Sequence, residues 1–285
     1  MGAEMTATVF AVVMLAALLH AGWNALVKGT GDKAAAMVAV IAGQGVLGAV
    51  LVPFAPFPPA QAWPYIAAGV ALHLGYNVFL VLAYRIGDLT QVYPIARGVS
   101  PLLVVLGTGW FLGVSFDSIE LAAIGMISIG IASTSLARRA DGLFQRKAAV
   151  FAVITGAFIA GYSIVDGQGA RVAGTALGYF AWLSLLDGVL MLAGARVLRP
   201  GLVRRALALR RHLVIGGGAS FVAYLLVVWA FTQAPIALVT ALCETSIVFV
   251  LVIGVAFLNE RLSLAKVASI ATTLSGAVLL RISRT

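Results

Sequence analysis

Ten apolar runs of about twenty residues each, separated by short polar breaks, leave a chain like this few ways to fold. They lie at roughly 6–27, 33–53, 63–84, 90–113, 117–137, 148–170, 174–197, 212–232, 236–258 and 263–281. Each is long enough to cross a hydrocarbon core of about 30 Å as an α-helix. In hydrocarbon the backbone has to satisfy its own N–H and C=O groups, which helices do and open sheets do not. The predicted fold class is therefore an all-α polytopic membrane protein with ten transmembrane helices. Composition agrees: 62% of the residues are hydrophobic and 10% charged, against about half and about a quarter in a soluble domain. Met1-Gly2-Ala3-Glu4 has no basic region, so the first run reads as a span rather than a cleaved signal peptide.

Pro56, Pro58 and Pro59 interrupt 54–62, which is predicted to be a loop because proline lacks the helix N–H and clashes with the preceding turn. The segment 198–211 carries five arginines between apolar residues, as a surface loop or an interfacial amphipathic helix would. The net charge of +9 does not indicate nucleic acid, because the basic residues sit in short loops between spans, where membrane orientation explains them. Fifteen follow odd-numbered spans, among them Lys28, Arg139 and Arg204, and three (Arg171, Arg281, Arg284) fall in even loops or the C-terminus. Positive loops stay in the cytoplasm, so both termini are expected outside, in a bacterial cytoplasmic membrane. Cys243, alone and within an apolar run, excludes a disulfide framework, and no cofactor or metal motif is legible.

The two halves, 1–140 and 141–285, read as copies of one another. Ala21-Gly22-Trp23-Asn24 matches Ala160-Gly161-Tyr162-Ser163, and Gln44-Gly45-Val46-Leu47 matches Asp187-Gly188-Val189-Leu190. Ala83-Tyr84 matches Ala230-Phe231, and in that register Arg97 falls opposite Glu244. Five spans per half is odd, so the second copy enters the membrane upside down. Two inverted five-helix repeats, with a site near mid-membrane at their interface, is the arrangement expected. Gly22 and Gly161 are expected at equivalent helix contacts.

His20-Ala21-Gly22-Trp23-Asn24 with Lys28, Gly87-Asp88 leading to Tyr93-Pro94-Ile95-Ala96, Thr240-Ala241-Leu242-Cys243-Glu244, and Leu258-Asn259-Glu260-Arg261-Leu262-Ser263 with Gly276 together resemble the EamA-type branch of the drug/metabolite transporter superfamily. The Glu-Arg before the last span is the most specific element; Asn259 stands where the family usually has Gly. The resemblance covers essentially the whole chain. It implies ten helices, a central cavity and alternating access, and it does not name the cargo.

An ionisable group inside a span is expensive and normally faces the bundle interior, which singles out Arg97, Asp166, Asp187 and Glu244. Arg97 and Glu244 either form a buried ion pair that fixes packing or bind opposite ends of a zwitterion. Pro94 and Pro101 flank Arg97 and favour a cavity wall. The substrate-binding set read from the sequence is Trp23, Asn24, Tyr76, Asn77, Tyr93, Arg97, Tyr162 and Glu244. His20, Asp166, Asp187 and Glu244 are the candidates for coupling. His20 shares one face of its helix with Asn24 and Lys28, and His73 one with Asn77. Asp166, near the end of its run, either has a solvated or gating role or contacts substrate, and Asp187 either carries a proton or bonds structurally.

A secondary transporter or exporter of a small organic metabolite fits these features best. The expected partners are the lipid bilayer, a small-molecule substrate such as an amino acid or other zwitterion, and protons as coupling ion; the chain would act as a monomer or homodimer. A membrane-embedded enzyme acting on lipid would need a catalytic cluster near one interface, and an exporter of cationic drugs would suit a Glu without the Arg.

Overall fold

The computed structural model describes residues 5–86, 89–136, 146–258 and 264–283, and these are helical apart from their connections, with no strand among them. In chain order the helices are α1 (Ala7–Lys28), α2 (Lys33–Leu51), α3 (Trp63–Ile86), α4 (Leu89–Leu112), α5 (Ser118–Leu136), α6 (Arg146–Ala173), α7 (Ala176–Leu198), α8 (Leu202–Ala208), α9 (Gly217–Gln233), α10 (Ile236–Glu244), α11 (Ser246–Leu258) and α12 (Leu264–Ile282). The described residues of the apolar runs are largely helical. Seven stretches among the described residues are long and apolar enough to cross a membrane. Gly87, Asp88 and residues 259–263, which carry parts of the quoted motifs, lie outside the described residues, as do Arg139 and the Lys28 side chain.

Local chemistry sets the helix ends. The Asp32 carboxylate accepts from the backbone N–H of Ala35 at 3.0 Å and starts α2. Asp117 and Glu120 bond each other's backbone N–H at 2.8 and 2.9 Å, a reciprocal cap at the start of α5. Gly113 and Gly174 follow α4 and α6 with φ of +64° and +68°, a left-handed turn that glycine adopts without strain. The proline segment before α3 is irregular apart from a single 3₁₀ turn over Ala60–Ala62.

The arginine-rich segment takes the helical one of its two expected forms, the short helix α8, whose Arg205 Nε donates to the exposed carboxylate of Asp32 at 2.9 Å. Two points differ from the sequence reading. The run 212–232 opens with one π turn, His212–Gly216, before α9. The run 236–258 is not one helix: α10 stops at Glu244 and α11 starts at Ser246. At the break, Thr245 N–H and Val248 N–H make three-residue bonds to Leu242 and Thr245 carbonyls, and the Thr245 hydroxyl donates to Leu242. Threonine and serine side chains that compete for backbone groups interrupt a helix without proline or glycine.

The chain divides into two compact units whose boundaries fall inside α1, α3 and α6, so each unit draws helices from both halves of the sequence. Unit 1 comprises Met1–Met14, Gly75–Ile164 and Gln233–Thr285; unit 2 comprises Leu15–Leu74 and Val165–Thr232.

In unit 2, α2 packs on α7 with backbone against backbone. A Cβ on Gly45 would lie 2.9 Å from the Gly188 Cα and 3.2 Å from the Ser184 carbonyl; one on Gly188 would lie 2.8 Å from the Gly45 Cα and 3.4 Å from the Ile41 carbonyl. Gly48, later in α2, meets Ala181, earlier in α7, so the two helices run antiparallel. Unit 1 repeats the pattern with α5 and α12. A Cβ on Gly130 would meet the Thr273 nitrogen at 2.8 Å and the Ser269 carbonyl at 3.1 Å; one on Gly276 would meet the Ile127 nitrogen at 3.0 Å and the Ala123 carbonyl at 2.8 Å. Only residues without side chains let helices approach this closely. Gly22, in contrast, has nothing within 4 Å of its missing Cβ, so it does not sit at the helix contact expected of it.

Candidate functional site

Unit 1 buries a charged pair where a helix is broken. The Arg97 guanidinium of α4 donates to the Glu244 carboxylate at 2.9 Å, and their side chains are only 7% and 3% exposed. Glu244 is the last residue of α10, so Arg97 lies at the C-terminal end of a half-helix, where a cation is favoured by the helix dipole. The second carboxylate oxygen accepts from the Ser100 hydroxyl at 2.9 Å, and Ser246, first residue of α11, stands 3.5 Å from the same guanidinium nitrogen. Pro101 has no N–H to offer the Arg97 carbonyl four residues back. The Ser100 hydroxyl lies 3.3 Å from that carbonyl, so its single proton is shared between the carbonyl and Glu244.

Aromatic rings surround the pair. The Arg97 guanidinium carbon sits 5.0 Å from the Tyr93 ring centre, within cation–π range. The Tyr93 hydroxyl is buried with no hydrogen-bond partner among the described residues. Tyr76 meets Tyr162 edge to face at 5.9 Å. Of the substrate-binding candidates, the structure therefore brings Tyr76, Tyr93, Arg97, Tyr162 and Glu244 together in unit 1. Asn77, also in unit 1, is buried on α3.

Trp23, Asn24 and His20 belong to unit 2. Trp23 packs with Val27, Ala36 and Val40, and its ring meets His20 edge-on at 4.9 Å. The Asn24 amide donates to the His20 carbonyl at 2.7 Å.

The two carboxylates among the coupling candidates of unit 2, Asp166 and Asp187, are both buried. Asp166 is fully buried, which removes the solvated alternative; its position two turns inside α6, rather than at the helix end, is the reason. It bonds His73 Nε2 at 2.9 Å and accepts from the hydroxyls of Tyr179 at 2.9 Å and Tyr224 at 2.7 Å. Asp187, 3% exposed on α7, has one carboxylate oxygen buried with no hydrogen-bond partner among the described residues. Sequence reasoning did not include Ser100, Ser246, Tyr179 and Tyr224. Ser100 follows Arg97 by three residues, one helix turn, and was open to detection; the two tyrosines are remote in sequence from Asp166 and left no signal. No cluster of His, Cys, Asp or Glu suited to a metal ion occurs among the described residues.

The fold is shared with a solved crystal structure of a protein, at a TM-score of 0.76 and 20% identity over 97% of this chain and 99% of that one. At that identity the likeness establishes the fold alone. No curated protein matches the chain in sequence. Residues 147–282 match the model of the EamA-like transporter family, whose members are membrane transporters of small molecules. Over that second half, the chain is similar to the EamA-like transporter family, part of the drug/metabolite transporter superfamily.

Proposed function

We propose that the chain is a secondary transporter of a small zwitterionic metabolite, of which an amino acid is the model, working by alternating access in a bacterial cytoplasmic membrane with both termini outside. The observation that carries this reading is the Arg97–Glu244 pair at the α10–α11 break. Discontinuous helices at membrane depth are where transporters hold substrates and coupling ions. A salt bridge buried only for packing contributes little stability and is often replaceable by apolar groups. As a recognition pair it has a use: a substrate carboxylate replaces Glu244 on the guanidinium, Glu244 accepts the substrate ammonium, and neither charge is left unpaired. The Tyr93 ring holds the guanidinium in place for a two-point carboxylate contact.

Ten spans in two inverted repeats belong to the same proposal. Matched residues of the two halves touch each other: Gly45 with Gly188, and Arg97 with Glu244. The α5–α12 contacts are reciprocal, Gly130 against Thr273 and Gly276 against Ile127. Reciprocal contacts between antiparallel helices are what a two-fold axis perpendicular to them produces, and such an axis lies in the membrane plane.

The test is counterflow of a panel of labelled amino acids into proteoliposomes. Arg97→Lys keeps the charge and loses the fork, so transport should fall at least tenfold with folded protein retained. Glu244→Gln should abolish transport of zwitterions. Full transport by both variants removes the pair from recognition.

A further inference from the structure

The repeat contains a second polar pair, and its two copies differ chemically. In one copy the Gln44 amide oxygen accepts from the Ser220 hydroxyl at 2.8 Å, a neutral and satisfied contact between α2 and α9. The register that pairs Gln44 with Asp187 and Ala83 with Ala230 also pairs Ser220 with His73. By that register the other copy is Asp187 on α7 with His73 on α3, two helices that pack together through Val70 and Leu183. One copy is neutral and the other ionisable.

The groups facing this ionisable copy are His73 from α3, Asp166 from α6, Tyr179 and Asp187 from α7, and Tyr224 from α9. His73 is already bonded to Asp166 at 2.9 Å. Even a protonated His73 balances only one carboxylate, and the one it bonds is Asp166. The second, Asp187, keeps an oxygen buried without a donor among the described residues. An ionised carboxylate so placed is penalised far more than a neutral carboxylic acid. The Arg97–Glu244 pair, by contrast, is neutral as it stands and calls for no extra proton.

We propose that Asp187, supported by the His73–Asp166 pair, is a proton-binding site distinct from the Arg97–Glu244 pair. Resting on the transport reading, it is the site through which one proton would couple to substrate movement. The step is one proton transfer: an O–H bond of hydronium breaks, the carboxylic O–H of Asp187 forms, and water is released; the reverse step returns the proton to water.

The full-length protein, reconstituted in lipid without substrate, tests this by infrared difference spectroscopy as pH is stepped through the neutral range. The expected result is a carboxylic-acid C=O band that appears on acidification, is lost in Asp187→Asn and persists in Glu244→Gln. If Asp187→Asn does not fold, Asp187→Gln with His73→Ser, which copies the neutral Gln44–Ser220 pair, should lose the same band. A band unchanged in these variants, or one that responds to sodium instead of pH, overturns the proposal. Because no substrate is present, that failure leaves the recognition reading of Arg97 and Glu244 untouched, and a counterflow failure leaves this one untouched.

Discussion

Gly45 and Gly188 occupy matched positions in the two halves of the sequence and lie directly against one another, each without room for a Cβ beside the other's Cα. The contact fixes how closely α2 and α7 approach and sets their antiparallel crossing.

Gly188→Ala should therefore push backbone against backbone and destabilise by about 1–3 kcal/mol, as overpacking does. Gly45→Ala should behave alike, and the double variant should be less than additive because both act on one contact. Gly22→Ala, with open space at its Cβ, should be neutral or stabilising by up to about 1 kcal/mol through helix propensity. Thermal unfolding in detergent checks all of these; equal losses at Gly22 and Gly188 would contradict the packing argument.

Arg97→Ala leaves Glu244 buried without its counter-charge, a change expected to destabilise by about 3–5 kcal/mol. Arg97→Met combined with Glu244→Leu removes both charges and should recover most of that stability while transport stays absent. Melting temperature and counterflow measured on the same preparations separate the two effects. A double variant that still transports would assign the pair to packing.

Asp32 caps α2, and the Ala35 N–H, with Arg205 beside it, holds its carboxyl below the usual carboxylate range. A carboxylate with a lowered folded-state pKa contributes stability above its unfolded value, about 3.9, and loses it as pH falls through the folded value. Asp32→Ala should cost about 1 kcal/mol at neutral pH, and that difference should shrink below about pH 4. Asp32→Asn, which still accepts from Ala35, should retain most of it. The exposed Arg205 contact adds little. Thermal melts of the three proteins across this pH range would show the pattern.

Orientation is open to a labelling experiment with Cys243 replaced beforehand. Arg204 on α8 and Gln61 before α3 are both exposed. Under the basic-loop asymmetry, Gln61→Cys in intact cells should react with a membrane-impermeant thiol reagent and Arg204→Cys should not. The reverse pattern would invert the topology and leave the fold unchanged.

The sequence alone determined that this chain is helical and belongs to a membrane. Apolar runs of about twenty residues admit no other backbone solution in hydrocarbon, so the boundaries of α2, α4 and α7 fell within a few residues of where hydropathy put them. It also singled out Arg97 and Glu244, which the structure pairs. What only the tertiary structure decided is which side chains from distant helices converge. Asp166 reads as a helix-end residue in the sequence, but Tyr179 and Tyr224 from other helices close over it. The break after Glu244 has no proline or glycine to announce it, because its cause is the competition of Thr245 for the Leu242 carbonyl. Hydrophobic periodicity records burial averaged over a helix face. Hydrogen bonds between single polar groups depend on positions to within a few tenths of an ångström, and those exist only once the helices have packed.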